Sequence, residues 1–458
     1  MKIKTIHKCS NCGRQESKWI GKCPSCQSWD TMEEMIVGSS KTNSSRNVIK
    51  KKAKVSRLLE VEGSNSDRIT TSINEFNRVM GGGIVKDSLT IITSRPGGGK
   101  STLTLAIAND IASQGYKVLY ASGEESESQL KNRADRILKN VHENIWILSD
   151  TSMDNALEFI EEVDPDLLII DSIQTFAFEG IESRPGSPTQ TMECANALLK
   201  VAKNEARPRA VIMIGQMTKE DELAGLRALE HMVDTVLIID SDTGEELRAV
   251  YCSKNRFGST GEMGFFSMTE AGMVSIDNPS EFFLTKRDQK ELVSGSALTV
   301  VKEGTRPIIV EIESLVCKTF TPFPSRIGEC LKRDQLSTLI SILEQRGGVP
   351  LYDKDIVLKT MGGLKFKEQA VNLSIIMSIV SSVYDKGIPN DTVFISDVGL
   401  TGELKKVPSL EIRIKELDRR GFKRVYIAKN ALGRALELNN IKVVELKTLQ
   451  EVIRHVFG

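Results

Sequence analysis

The sequence predicts a multidomain protein with a small cysteine-rich unit, then an α/β domain, then an α+β domain. Three features indicate this. Four cysteines fall within residues 9–26, short apolar runs alternate with helical patterns over residues 66–280, and the order of strands and helices changes after 285. At 458 residues, the chain is long enough to bury several hydrophobic cores.

Composition and charge are those of an ordinary globular protein, with 40% hydrophobic residues, 27% charged residues and no formal net charge. The chain has no apolar run of about 18 residues and starts without a signal segment, so we expect a cytoplasmic protein and no membrane contact. The first 58 residues carry 13 Lys and Arg against 4 Asp and Glu. This basic arm suggests a polyanionic partner, although a solvated tail explains the charge equally well.

The cysteine-rich unit, residues 1–36, has the pattern C-x2-C-x10-C-x2-C. Two CxxC pairs bring four thiolates around one ion, and this soft tetrahedral donor set favours zinc. Because sulfur fills all four positions, we expect a closed, structural site; a redox-active cysteine set is the alternative. The predicted ligands are Cys9, Cys12, Cys23 and Cys26. Residues 37–65 are predicted to form a basic flexible linker.

The segment SRPGGGKST at 94–102 lies between an apolar run and a stretch with helical spacing. A glycine-rich turn in this context directs backbone N–H groups toward a bound phosphate, so we expect ATP here. Lys100 would reach the β- and γ-phosphates, and Ser101 would bind Mg²⁺. Ser94 replaces the glycine that opens the usual pattern; a positive φ there would cost about 1 kcal/mol and weaken the site without removing it. The predicted nucleotide contacts are Ser94, Arg95, Pro96, Gly97, Gly98, Gly99, Lys100, Ser101 and Thr102.

Four polar residues follow the ends of other predicted strands, which share one edge of a parallel sheet. Asp171 ends the strand LLIID and is the predicted second magnesium ligand. Glu124 and Glu125 follow the strand KVLYAS, and either is suited to orient the attacking water, so the sequence does not separate them. Gln216 ends the strand AVIMIG and is predicted to sense the γ-phosphate and to signal to the loop that follows.

The order of motifs resembles the bacterial RadA (Sms) family over essentially the whole chain. The matching segments are the two CxxC pairs, GGGI, GKST, SGEES, IDSIQT, TKE, LEHMVDT, KNRFGST, NPS and EGTRP. KNRFG at 254–258 is the family's own signature, which makes the resemblance specific. The resemblance implies a RecA-like ATPase core at 66–280 that serves recombinational DNA repair.

The resemblance also implies partners and further site residues. Proteins of this family are expected to form hexameric rings, to cooperate with RecA, and to drive branch migration on single-stranded and branched DNA. Lys254 and Arg256 would reach the nucleotide or DNA at a neighbouring subunit. The loops 176–192 and 218–227 would touch DNA. The candidate phosphate contacts in them are Arg184, Lys219 and Arg227.

The final domain, 285–458, resembles the proteolytic domain of Lon, most clearly in VFISDVGLTGELKKV. Lon-type catalysis needs a serine paired with a lysine. Here Glu411 occupies the lysine's place, and Ala370 and Asn372 lie where the nucleophile would be; Ser374 is nearby without a lysine partner at suitable spacing. We therefore expect a scaffold for ring assembly or DNA binding, and no proteolysis.

Two other classes of function stay open at the level of the sequence. One is a nucleotide-binding scaffold that does not hydrolyse ATP and loads other repair proteins. The other is an ATP-dependent protease that uses the Lon-like domain. ATP turnover that rises with single-stranded DNA distinguishes a motor from a scaffold, and a lack of proteolysis removes the protease.

Overall fold

The computed structural model describes residues 4–9, 15–16, 21–22, 24–26, 29, 32–37, 57, 59, 68–216, 225–240, 246–287, 291–366, 368–433 and 436–458. The chain forms two compact units, Met1–Gly63 and Ser64–Gly458. Among the described residues, no helix combines the length and the apolar character that crossing a membrane requires.

The first unit contains a small antiparallel sheet. Its strands are β1 (Lys4–Cys9), β2 (Gln15–Glu16) and β3 (Met32–Val37). They lie in the order β2-β1-β3, so that the amino-terminal strand is central. Cys9 ends this strand opposite Met32 and is buried. The sheet thus presents the first predicted zinc ligand at the end of a paired strand.

The larger unit begins with an α/β part built on nine strands. In chain order its elements are β4 (Arg68–Ile69), α1 (Asn74–Val79), β5 (Ile84–Val85), β6 (Leu89–Ser94), α2 (Lys100–Ser113), β7 (Val118–Ser122), α3 (Glu127–Ile137), β8 (Ile145–Ser149), α4 (Met153–Val163), β9 (Leu167–Asp171), α5 (Pro188–Ala202), β10 (Ala210–Gln216), α6 (Gly225–Met232), β11 (Thr235–Asp240), β12 (Leu247–Asn255), β13 (Met263–Thr269), β14 (Gly272–Ser275) and α7 (Pro279–Phe282). The sheet order is β14-β13-β12-β11-β6-β10-β9-β7-β8, and β4 pairs with β5 separately. Strands β11 to β8 in this order are parallel, and β12–β14 extend the sheet as antiparallel hairpins.

Helices cover both faces of the parallel strands, as their uninterrupted apolar sequences predict. Every residue of β6, β7 and β9 is buried. One face packs against α2 through Leu103 and Ile107, and the other against α4 and α5 through Ile160 and Leu198. The predicted α/β class is therefore confirmed.

The strand register brings the predicted polar residues to one edge of the sheet. Ser122 of β7 pairs with Asp171 of β9, and Ser94 of β6 pairs with Gln216 of β10. Because these strands are parallel, the loops that leave their carboxyl ends converge. The helix after β6 begins at the same edge and ends before Gly115, which adopts a positive φ of 91°.

The carboxyl-terminal part is a mixed seven-stranded sheet with helices. Its elements are β15 (Ser296–Glu303), β16 (Arg306–Lys318), β17 (Arg326–Gly328), α8 (Arg333–Ile342), β18 (Lys354–Thr360), α9 (Asn372–Tyr384), β19 (Thr392–Phe394), β20 (Asp397–Val398), β21 (Leu404–Lys405), α10 (Leu410–Arg419), β22 (Arg424–Ala428), β23 (Lys442–Leu446) and α11 (Leu449–Phe457). The order is β17-β18-β16-β15-β19-β22-β23, with β20 and β21 as a separate hairpin. Its core also takes in Phe265 of the first sheet and Phe283 after α7. This continuous core explains why Ser64–Gly458 forms one compact unit.

Candidate nucleotide-binding site

The phosphate loop lies between β6 and α2, and glycine is required at two of its positions. Gly97 and Gly99 have φ values of 76° and 96°, in the left-handed region that other residues rarely adopt. A Cβ on Gly99 would also lie 2.5 Å from the Met268 methyl group. Lys100 starts α2 directly after this turn, so its backbone N–H and those that follow point to the space above the helix.

Ser94 is the last residue of β6, is buried and has no positive φ, so the strain considered from the sequence does not arise. Its hydroxyl lies under the phosphate loop, where it accepts a hydrogen bond from Lys100 Nζ at 3.1 Å and donates one to the carbonyl of Arg95 at 2.7 Å. A Cβ on Gly98 would lie 2.4 Å from Ser94 Oγ. Ser94 thus fills space that the usual glycine leaves empty and contacts the lysine of the motif.

A cavity of about 450 Å³ opens above the start of α2, a size typical of small-ligand sites. Its lining comes from the phosphate loop, from the ends of the neighbouring strands and from β13. The lining residues are Pro96, Gly97, Gly98, Gly99, Lys100, Ser101, Thr102, Glu124, Glu125, Arg133, Asp171, Gln216 and Met268. Ser94 lies below this surface, and the exposed Arg95 is absent from the lining.

The predicted magnesium ligands lie together in this cavity. Ser101 of α2 and Asp171 of β9 both line the cavity, so a hydroxyl and a carboxylate face the same space. This oxygen donor pair fits Mg²⁺, which protein sites commonly hold through one or two such groups. Burial raises the pKa of Asp171, although hydrogen bonds from Tyr120 and Ser101 oppose the shift. Burial lowers the pKa of Lys100, and the charges of Asp171 and Glu124 oppose that change.

The two adjacent glutamates, which the sequence left equivalent, have different partners. Glu124 Oε1 accepts hydrogen bonds from Ser172 Oγ at 2.6 Å and from Gln216 Nε2 at 2.7 Å, both neutral groups. Glu125 instead forms an ion pair with Arg133 of α3. No sequence motif includes Arg133, which reaches the site because the packing of α3 brings it back to the end of β7.

The KNRFG segment lies at the opposite edge of the sheet from the phosphate loop. Thr235 of β11 pairs with Asn255 on one side and with Thr90 on the other, so the KNRFG segment lies level with the start of β6. The phosphate loop follows the other end of β6, roughly 15 Å along the strand from Thr90. Lys254 Nζ donates to the carbonyls of Glu230 and His231 at the end of α6, at 2.5 and 3.3 Å. Burial lowers the pKa of Lys254, and the positive charge of the nearby Arg256 lowers it further.

Arg256 is the more accessible of the two cations, with a side chain that is 56% exposed and lies 3.3 Å from Asp234. Asn255 Nδ2 donates to the carbonyl of Met80 at 3.2 Å, so KNRFG packs against the turn that contains GGGI. The structure therefore separates Lys254 and Arg256 from the phosphate loop of the same chain.

The first predicted DNA loop is shorter than expected, because α5 begins at Pro188 with Ser187 as its N-cap. Residues 176–187 form the loop, and Arg184 is exposed on it. Gln190, which is 1% exposed, organises the loop from below. Its side chain donates to the carbonyls of Phe178, Ile181 and Ser183, each at 3.1 Å. Lys219 and the side chain of Arg227 lie outside the described residues.

Two of the four predicted zinc ligands are described. Cys9 Sγ and Cys26 Sγ lie 3.6 Å apart. A disulfide would need about 2.05 Å, whereas two thiolates on one tetrahedral zinc ion with bonds of about 2.3 Å lie nearly 3.8 Å apart. The separation fits two ligands of a shared metal ion. Cys12 and Cys23 lie outside the described residues.

In the carboxyl-terminal part, a partly buried ion pair lies beside the residues that the sequence predicts at the positions of the Lon nucleophile and lysine. Arg413 is 1% exposed and is bound by both carboxylate oxygens of Glu368. Glu368 precedes Ala370 by two residues, and Arg413 follows Glu411 by two. Ser374 is fully buried inside α9. Among these described residues no serine hydroxyl contacts a lysine amine, so they do not form a serine–lysine nucleophile.

Comparison with known proteins shows the family of the chain. Residues 7–34 match the rubredoxin metal binding domain, and residues 55–222 match an AAA domain. A protein of Bacillus subtilis named DNA repair protein RadA is 40% identical over 460 aligned residues, which cover 100% of this chain and 99% of the relative. The proteins of the same name from Listeria monocytogenes and Campylobacter jejuni are 39% and 38% identical, over 97% and 99% of this chain.

The chain belongs to the RadA family. The resemblance drawn from the motifs is thereby confirmed. The AAA match spans the phosphate loop, the two glutamates, Asp171 and Gln216. KNRFG and the carboxyl-terminal part lie beyond that match but within the full-length alignment to the RadA proteins. The metal-binding match includes all four cysteines of the two CxxC pairs.

Proposed function

We propose that this RadA-family protein is a magnesium-dependent ATPase that acts as a motor on DNA in recombinational repair. The observation that carries the proposal is the convergence of Lys100, Ser101, Asp171, Glu124 and Gln216 on one cavity at the start of α2. Phosphoryl transfer to water needs these chemical types: a cation at the phosphates, oxygen ligands for a metal, and a carboxylate for the water. The shared name of the relatives, DNA repair protein, supports the biological setting.

The phosphate loop would bind the nucleotide through its backbone N–H groups and through Lys100. Ser101 and Asp171 would hold Mg²⁺, which, when bound, offsets the negative charge that develops on the transferred phosphoryl group. Arg133 adds a second cation to the cavity wall, where water is partly excluded and charge stabilisation is stronger than in bulk solvent.

Glu124 is the group that orients the attacking water and accepts its proton. Its carboxylate lies in the cavity with only neutral hydrogen-bond donors, so its charge is available to a water molecule. Glu125 is the weaker candidate because Arg133 compensates its charge.

Gln216 connects the nucleotide site to a predicted DNA loop. Its side chain is bonded to Glu124, and its backbone exchanges two hydrogen bonds with the Gln174 side chain, at 3.3 and 3.4 Å. A γ-phosphate that attracts the Gln216 amide would compete with Glu124 for it. The predicted DNA loop, 218–227, begins two residues later, so nucleotide state and DNA contact are coupled through one residue.

Arg256, with Lys254 beside it, serves the nucleotide or the DNA at a neighbouring subunit of a ring, which the family resemblance suggests is hexameric. The exposed guanidinium lies at the edge of the sheet away from its own phosphate loop, which favours action across a subunit boundary. Lys254 braces the end of α6. This helix begins at Gly225, so residues 225–227 of the predicted DNA loop 218–227 are helical and not part of a loop. This bracing links the DNA loop to the segment that meets the next subunit.

Single-stranded and branched DNA are the proposed nucleic-acid partners, and RecA is the proposed protein partner in branch migration. The exposed Arg184 and the basic linker of residues 37–65 supply positive charge for a phosphate backbone. Zinc in the C-x2-C-x10-C-x2-C unit is proposed to be structural, because four thiolates leave no coordination position for a substrate.

The decisive experiment measures ATP hydrolysis with and without single-stranded DNA for the protein, for Lys100→Ala and for the exposed control Lys139→Ala. We expect turnover that rises with DNA, that is absent in Lys100→Ala and that is retained in Lys139→Ala. Nucleotide binding without DNA-stimulated turnover would instead favour the scaffold function. Heteroduplex extension in the presence of RecA tests the branch-migration step.

A further inference from the structure

Tyr120 is a buried polar residue of the nucleotide site that the phosphate-loop motifs do not include. It lies in β7, is 1% exposed and packs in the core on the α2 face of the sheet. Its hydroxyl donates a hydrogen bond of 2.6 Å to Asp171 Oδ2. The sequence gives one weak signal, a tyrosine in an otherwise small and aliphatic strand.

The strand register explains how the two side chains meet. Tyr120 pairs with Ile169 across β7 and β9, and Ser122 pairs with Asp171. Side chains two residues apart on a strand share a face of the sheet, so Tyr120 lies on the same face as Ser122 and its partner Asp171. Tyr120 and Asp171 are therefore diagonal neighbours on adjacent strands. A phenol side chain is long enough to cross this diagonal, whereas a shorter polar side chain at residue 120 is not.

Asp171 is held through one of its two carboxylate oxygens. Tyr120 of β7 donates to the Oδ2 atom, and Ser101 of α2 lines the same cavity as Asp171. Thr104, one turn into α2, lies 3.4 Å from the Tyr120 hydroxyl and completes a chain of polar groups inside an apolar core. A carboxylate with one oxygen fixed in this way presents the other in a defined direction.

We propose that Tyr120 is a positioning residue that orients the Asp171 carboxylate toward Mg²⁺ and thereby sets the magnesium dependence of nucleotide binding. The inference rests on the proposed ATPase function. Tyr120 does not itself line the cavity, so it acts there through Asp171, the lining residue that its hydroxyl contacts. Residues that hold a metal ligand in place commonly change metal affinity by about 10- to 100-fold when they are removed.

The test is the Tyr120→Phe variant, which removes one hydroxyl and keeps the ring that fills the core. Binding of a methylanthraniloyl-ATP analogue is followed by fluorescence while Mg²⁺ is titrated. We expect the Mg²⁺ concentration for half-maximal binding to rise about tenfold. Tyr116→Phe is the matched control, since Tyr116 lies just before β7 and outside the cavity, and it should keep the wild-type midpoint.

A double variant separates positioning from a general loss of structure. If Tyr120 acts through Asp171, adding Tyr120→Phe to Asp171→Asn should move the midpoint by less than about twofold. An equal midpoint in Tyr120→Phe and the wild type, or an equal rise in Tyr116→Phe, overturns the inference and leaves the ATPase proposal intact. A wild-type protein that binds no analogue at any Mg²⁺ concentration overturns both.

Discussion

Ser94 shows how one side chain changes the neighbourhood of a phosphate loop. Its hydroxyl contacts Lys100 and occupies the volume beneath Gly98. Because Ser94 has ordinary strand geometry, its presence carries no backbone strain. The loop glycines, rather than residue 94, provide the unusual φ values that the turn requires.

We predict that Ser94→Gly changes ATP turnover by less than about tenfold, because the lost hydroxyl makes one hydrogen bond to Lys100 worth about 1 kcal/mol. Lys100→Ala, by contrast, should abolish turnover. Steady-state hydrolysis at saturating ATP measures both. A Ser94→Gly variant without activity would show that the hydroxyl is required for catalysis.

Gly98→Ala should abolish nucleotide binding in the presence of Ser94, since the new methyl group would lie 2.4 Å from Ser94 Oγ. The double variant Ser94→Gly/Gly98→Ala removes that clash and should regain binding. Isothermal titration with ATP and Mg²⁺ compares the two. An equal loss of ATP binding in both variants would show that contact with Ser94 is not the reason why residue 98 must be glycine.

Glu124→Gln should lower ATP turnover by about 10²- to 10⁴-fold, the usual contribution of a general base, with little change in ATP binding. Glu125→Gln should have a smaller effect on turnover, because its carboxylate is already paired with Arg133. Single-turnover hydrolysis and equilibrium binding separate the chemical step from affinity. The opposite ranking of the two variants would assign the base to Glu125.

At the scale of elements, the loop 176–187 has a fixed shape although it has no regular secondary structure. The buried Gln190 amide satisfies backbone groups at three points of the loop, and Ser187 caps α5 where the loop ends. Such internal hydrogen bonding allows an exposed loop to present one side chain in a constant direction.

We predict that Arg184→Ala weakens single-stranded DNA binding. The slope of log affinity against log salt concentration should also fall by about one, which corresponds to one lost phosphate contact. ATP affinity should not change, since Arg184 does not line the cavity. Fluorescence anisotropy at several salt concentrations measures both effects. Arg136→Ala, on the exposed side of α3, is the control and should retain the wild-type salt slope.

At the scale of the whole larger unit, a buried carboxylate joins the two sheets. Glu75 of α1 is 1% exposed and lies 2.8 Å from Arg306 at the start of β16. It also accepts the backbone N–H of Phe265 in β13 at 3.0 Å. Three elements that are distant in sequence therefore meet at one charge, next to the continuous core.

Arg306→Ala should lower the free energy of unfolding by roughly 3 kcal/mol, because it leaves the buried Glu75 charge without its closest partner. Urea unfolding measures the loss. The more exposed neighbour Arg78, 3.6 Å from Glu75, is the control, and Arg78→Ala should cost under about 1 kcal/mol. The double variant Glu75→Gln/Arg306→Met should be less destabilised than Arg306→Ala. A similar loss of unfolding free energy in all the variants would show that the unpaired Glu75 charge is not the cause.

The family, the α/β class and the position of the phosphate loop could all be predicted from the amino-acid sequence. These rest on local signals: continuous apolar strands, helical spacing after GKST, and motifs of a few adjacent residues. Strand β8 was not predicted, because it is a partly exposed edge strand without a clear apolar alternation. The start of α5 inside the predicted DNA loop was also missed, since helix caps fix such boundaries.

Which side chains act together could be seen only in the folded protein. It paired Glu125 with Arg133, left Glu124 to Gln216, placed Tyr120 against Asp171 and moved KNRFG to the far edge of the sheet. The physical reason is that hydrogen bonds and ion pairs act over a few ångströms, between residues that neighbouring strands and helices bring together. Spacing along the chain carries no record of those distances.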